Sequence, residues 1–104
     1  MHVSVFEYRV RGMDPAEWGR VCAEELAPVF AEVPGLRSKI WLRSADGGAG
    51  GVYLWEDEAA YRAFLASDLG AGLARHPHIE GLTVRDWAVD EAATAVTGGD
   101  LQPA

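Results

Sequence analysis

The chain has 104 residues, of which 49% are apolar and 24% charged, and its formal net charge is −7. That length fits one domain with a modest core, and the balance is that of a globular chain rather than a disordered or membrane one. The acidity argues against nucleic acid or an anionic membrane as partner, since both need a basic stripe, and the single cysteine, Cys22, excludes an intrachain disulfide.

His2 to Val10, rich in Val, Phe and Tyr, reads as a strand. No basic leader with an apolar run precedes it, and no stretch is long enough to span a bilayer, so a reducing cytoplasm is the expected address. Asp14-Pro15-Ala16-Glu17 then carries a helix start: a capping side chain, a proline suited to the first helical position, and a glutamate at capping-box spacing. Trp18, Val21, Cys22, Leu26, Val29, Phe30 and Val33 follow at helical spacing. Pro28 interrupts them. It removes a backbone donor and predicts a kink or break near Glu24–Pro28, and Pro34-Gly35 stops the helix.

Leu36 to Ala45 predicts the second strand, Asp46 to Gly50 a glycine-rich hairpin turn, and Gly51 to Glu56 the third strand. Asp57 caps a second helix with Tyr61, Phe64, Leu65 and Leu69 on one side. Gly70 and Gly72 weaken its continuation, and Pro77 bars it. Ile79 to Asp90 holds the last strand. The expected domain is 1–90, with 91–104 a frayed tail or an arm laid on a partner.

The order βαββαβ with a central hairpin predicts an α+β, ferredoxin-like fold, an antiparallel sheet with both helices on one face. Alternation sorts the strand residues into two sets. Leu36, Ile40, Leu42, Val52, Leu54, Leu82 and Val84 are almost purely aliphatic. Arg37, Lys39, Trp41, Arg43, Tyr53, Trp55, Arg85 and Trp87 are aromatic and cationic. The first set suits sheet-on-sheet packing between two protomers. The second is expected to line a space between sheet and helices, with indole donors and cations as polar handles. The plainer alternative is a core of bulky residues whose cations reach the strand ends.

No phosphate loop, nucleophile elbow or Cys/His metal pair is present. His76-Pro77-His78 lacks a convincing third ligand, so no metal is expected. His76 is a candidate base. Its alternative, preferred for His78, is a histidine set favourably against a helix C-terminus. Cys22 reads as core on the first helix.

Leu26-Ala27-Pro28, Val33-Pro34-Gly35-Leu36, Lys39-Ile40-Trp41 and Gly50-Gly51-Val52-Tyr53-Leu54-Trp55-Glu56-Asp57-Glu58 together resemble the YdhR-like family of monooxygenases. The resemblance runs from the first helix to the last strand and implies a dimeric α+β barrel. A weaker resemblance, at Trp55-Glu56-Asp57-Glu58-Ala59-Ala60-Tyr61-Arg62, is to the antibiotic-biosynthesis monooxygenases, whose junction often reads Trp-Glu-Ser-x-x-x-Tyr-Arg. Those enzymes oxidise phenolic polyketides with O2 and without flavin, haem or metal. By that match Trp55 and Tyr61 are pocket residues and Arg75 a pocket cation. An asparagine common on the strand before that tryptophan is here Gly51, so either its role as a polar handle passes to Lys39 or Tyr53 or the reaction differs. Haem-degrading members of the same superfold use an Asn, a Trp and a His where this chain offers Glu7 or Tyr8, Phe64, and His76 or His78, a poor match.

The expectation is therefore a cofactor-independent monooxygenase acting with O2 on a phenolic or polyketide-like aromatic substrate, in secondary metabolism. Trp55, Tyr61, Arg75 and His76 would be catalytic, with Trp55, Tyr61 and Arg75 lining one cavity. Lys39, Trp41, Tyr53, Phe64, Arg85 and Trp87 would hold the substrate. The alternatives are a non-oxidative polyketide cyclase or isomerase using the same pocket, and a non-catalytic ligand-binding or stress-response module.

Overall fold

The computed structural model describes residues 1–99. Strand β1 (His2–Val10) is followed by α1 (Pro15–Val21), which runs through a π-helical turn (Cys22–Leu26) into α2 (Ala27–Phe30). The hairpin β2 (Leu36–Arg43) and β3 (Gly48–Trp55) leads to α3 (Glu58–Ala66), α4 (Asp68–Leu73), β4 (Ile79–Ala88) and α5 (Glu91–Val96). The strands form one antiparallel sheet in the order β2-β3-β1-β4. This is the α+β, ferredoxin-like arrangement expected from the element order.

The local signals act largely as read. Asp14 caps α1 by accepting from Ala16 N–H, and Asp57 caps α3 by accepting from Ala60 N–H at 2.8 Å. Gly47, at φ +91°, makes the tight hairpin turn that only glycine adopts freely. The break before Pro28 takes the form of the π turn, in which Ala27 N–H donates to the Cys22 carbonyl five residues back. Pro28 has no N–H, and its ring crowds the carbonyl of Glu24; widening one turn lets the helix pass the proline without stopping. The second helix breaks at Ser67 rather than at its glycines. Ser67 leaves the helical region (ψ 160°) and its Oγ accepts from Gly70 N–H, starting α4. Part of the expected tail is also ordered: Asp90 caps α5, and the Met1 ammonium pairs with Glu91 at 2.9 Å. Residues 100–104 of that tail lie outside the described residues.

The two predicted faces need correction. Pairing of His2, Ser4 and Phe6 with Ala88, Asp86 and Val84 puts Leu82 and Val84 on the helix side, where they pack on the core. Arg85 and Trp87 therefore face outward with Val3 and Val5, the guanidinium 5.1 Å from the indole. Leu36 also belongs to the helix side, because a bulge at Arg37 shifts the register between Leu36 and Ser38. The outer face is left with Val3, Val5, Ile40, Leu42, Val52, Leu54 and Trp87. The inner core is aromatic: Phe6, Phe30, Tyr53, Trp55, Tyr61 and Phe64 are all buried. Burying each such ring contributes roughly 1.5–3 kcal/mol.

Candidate active site

Between the first helix and the sheet lies an open cleft of about 470 Å³. Tyr8 of β1, Trp18 of α1, Cys22 of the π turn, and Trp41 and Arg43 of β2 line it. Trp18 Nε1–H donates to Tyr8 Oη at 3.2 Å, which fixes two walls against each other. Burial pushes the Tyr8 phenol and the Cys22 thiol above their ordinary values, so both stay neutral at physiological pH. The Arg43 guanidinium lies against Gly19, where a Cβ would sit 2.6 Å from Nη1.

An inner void of about 20 Å³ adjoins this cleft. Tyr8, Trp18, Trp41 and Gly50 border both spaces. At its floor is Lys39. Its Nζ lies 3.4 Å from the centre of the Trp41 ring system, 3.5 Å from that of Phe30 and 4.5 Å from that of Tyr53. Burial pushes the Lys39 ammonium down to about 7, with Cys22 acting weakly the other way. The three ring faces also favour the charged form. Gly51 makes room for this lysine: a Cβ there would lie 2.8 Å from Lys39 Cε and 3.1 Å from the Tyr53 ring. The stem of Lys39 thus occupies the space that a side chain at position 51 would fill.

The structure does not bring the expected set together. Trp55 is fully buried; its Nε1–H donates to Ser4 Oγ at 2.9 Å and its ring stacks on Tyr53. Tyr61 packs on it, its phenol pushed up by burial and by the nearby Asp86 carboxylate, which takes His2 Nε2 at 2.6 Å. Trp55 pairs with His2, whereas the cleft is built around Tyr8. Six residues of strand, roughly 20 Å, separate those two ends of β1. Arg75 is exposed and lines neither space. It precedes Ile79, whose partner Val10 is at the other end of β1 from the partner of Trp55.

Phe64 is core, touching Phe6, Phe30, Tyr53 and Trp55. His76 meets the Trp18 ring edge-on at 5.3 Å, and its Nδ1 accepts from His78 N–H at 3.1 Å. Arg85 and Trp87 are on the opposite face of the sheet. Of the expected residues, Lys39, Trp41 and Tyr53 do line the inner void. Arg43, expected with the aromatic and cationic set to line the space between sheet and helices, does line the cleft, whereas Tyr8, Trp18 and Cys22 went unrecognised as lining residues. Tyr8 carried a signal, since it alternates with His2, Ser4 and Phe6 along β1.

A ferredoxin-like α+β chain with an aromatic, cation-bearing cleft between helix and sheet is the class defined so far. More specifically, the chain belongs to the family described as "Putative mono-oxygenase ydhR", whose model matches residues 6–100. Among curated proteins none matches it. Among solved structures it is similar to SnoaB, a cofactor-independent oxygenase from Streptomyces nogalater. The two are 26% identical over 85% of this chain and 91% of that one, with a TM-score of 0.65. It is also 26% identical to a monooxygenase from the gene ActVA-Orf6 of Streptomyces coelicolor, solved with the ligand nanaomycin D. That match covers 85% of this chain and 86% of the other, with a TM-score of 0.63. The heme-degrader MhuD of Mycobacterium tuberculosis, with two hemes in its active site, shares the fold at 22% identity. It covers 86% and 96% of the two chains, with a TM-score of 0.68.

Proposed function

We propose that this chain is a cofactor-independent monooxygenase that oxidises a phenolic, polyketide-like aromatic substrate with O2. The observation that carries the reading is the cleft: about 470 Å³, walled by Tyr8, Trp18 and Trp41, with Arg43 at its rim and Lys39 below. That volume lies in the range of small-molecule sites. Flat indole and phenol rings hold a planar polycycle by stacking, and a guanidinium at the rim suits its oxygens. The 26% identity to a cofactor-independent oxygenase and to a monooxygenase solved with nanaomycin D supports the same reaction type.

The chemistry asks little of the protein. A phenol or hydroquinone loses a proton, and the electron-rich anion reduces O2 by one electron. The radical pair recombines to a peroxide, which loses water to give a quinone. The chain's part is to stack the ring, stabilise the anion and keep out bulk water.

The test is oxygen uptake with a panel of hydroquinones and anthrones, using chelator-treated, flavin-free protein. Stoichiometric O2 consumption with quinone formation is expected, and Trp18→Ala should raise KM. Turnover without O2 uptake would replace this reading with a cyclase or isomerase. Binding without turnover would leave a ligand-binding module. A requirement for added flavin, haem or metal would remove cofactor independence.

A further inference from the structure

We propose that Lys39 is the base of this site, the amine that takes the hydroxyl proton of the phenolic substrate as the ring anion forms. The inference rests on the oxygenase reading above and names a catalytic group for it. Its first support is position. Lys39 lines the inner void, which shares Tyr8, Trp18, Trp41 and Gly50 with the cleft, so a ring bound against Trp18 and Trp41 lies next to the space that holds this lysine. The void has room for about one water-sized group.

The second support is the cage. Nζ sits over Phe30, Trp41 and Tyr53, and no carboxylate pairs with it among the described residues. A lysine held for stability is ordinarily given an anion. This one is given three ring faces, whose attraction for Nζ grows as the amine becomes ammonium. Burial keeps a neutral amine accessible near pH 7, where general bases work best, and the ring faces stabilise the cation that proton transfer creates. The third support is Gly51. Its missing side chain is what lets the stem of Lys39 lie across β3.

The other groups facing this space are poorer bases. The Tyr8 and Tyr53 phenols and the Cys22 thiol are all pushed up by burial and remain protonated. Arg43 offers a guanidinium, which donates hydrogen bonds and has no acceptor. His76 has its Nδ1 occupied by His78 N–H and lines neither space. In the step itself the substrate O–H bond breaks and an N–H bond forms at Nζ. The electron pair stays on the phenolate oxygen, and no oxidation occurs. When the peroxide formed with O2 expels hydroxide, the ammonium returns its proton and water leaves.

Two measurements test this. The first uses 4-nitrophenol, whose anion absorbs in the visible, at a pH below the probe's own pKa. Wild type should bind it as the anion, and Lys39→Met should bind it as the neutral phenol. A neutral bound probe in wild type, or no anion signal at saturating probe, overturns the proposal.

The second measurement is the pH profile of kcat/KM for O2 uptake. Wild type should show a rising limb near pH 7. Lys39→Met and Lys39→Arg should both lose that limb and at least about a hundredfold in rate. Arginine keeps the charge but cannot accept a proton, so full activity in Lys39→Arg would make Lys39 a fixed cation and overturn the proposal. If wild type consumes no O2 but shows the anion signal, and neither Lys39→Met nor Lys39→Arg does, the oxygenase reading fails while Lys39 still stands as the proton acceptor; an anion signal retained in Lys39→Arg makes Lys39 a fixed cation and overturns the proposal.

Discussion

Lys39 is placed where a lysine is costly to charge, and this has a consequence for stability. Its pKa is lowered from 10.5 to about 7 in the folded protein, so between those values the unfolded chain binds a proton that the folded chain does not. Stability must therefore rise with pH across that window, and the penalty is fully present below about 7. Chemical denaturation at intervals from pH 6 to pH 10 should show the rise in wild type. Lys39→Met should flatten it and be the more stable protein at pH 6. Arg75 gives the contrasting case at this scale. Exposed and outside the cleft, it should tolerate alanine with a stability change within about 0.5 kcal/mol, read from thermal midpoints, and with unchanged oxygen uptake.

At the scale of elements, the cleft depends on where backbones approach closely. Gly50 is buried in β3, and a Cβ there would meet the Phe6 carbonyl oxygen of β1 at 2.0 Å. A backbone oxygen in a central strand pair cannot swing aside as a side-chain end can. Gly50→Ala should therefore cost about 1–3 kcal/mol or more, measured by urea unfolding. Gly72 in α4 is the opposite case, since nothing lies within 4 Å of its added Cβ. Gly72→Ala should stabilise by about 0.4–1 kcal/mol, because alanine restricts the unfolded chain and fits a helix. The π turn belongs to the same scale: it carries the first helix past Pro28 and sets Cys22 on the wall of the cleft.

For the whole molecule, α1 to α4 lie on one face of the sheet, and the other, with Thr94 of α5 beside it, remains largely apolar. Ile40 is 62% exposed and Trp87 45%, beside Val3, Val52 and Leu54. We expect a second copy to cover this face, because two four-stranded sheets meeting on aliphatic side chains bury what a single copy leaves in water. Sedimentation at micromolar concentration should show a dimer in wild type and a monomer for Ile40→Glu, whose unpaired carboxylate would be desolvated in the interface. No helix among the described residues is long and apolar enough to cross a membrane.

Element order, both helix caps, the hairpin and the disturbance before Pro28 were legible because each is decided by neighbours within a few residues: a capping oxygen, a glycine free of Cβ, a proline without N–H. The family was legible for a similar reason, since its motifs lie on contiguous strand and turn segments. The faces were not. Period-two alternation divides each strand into two sets, but which set of one strand shares a face with which set of the next is decided by register. The bulge at Arg37 turned Leu36 inward, and pairing of Val84 with Phe6 turned Arg85 and Trp87 outward. The site followed the same rule. Trp55 and Tyr61 were recognisable as a motif, yet a satisfied indole at the His2 end of the sheet belongs to the core. Only the packing of the first helix over the Tyr8 end opened a cleft, and only the absence of a side chain at Gly51 let Lys39 lie across β3 at the void adjoining it.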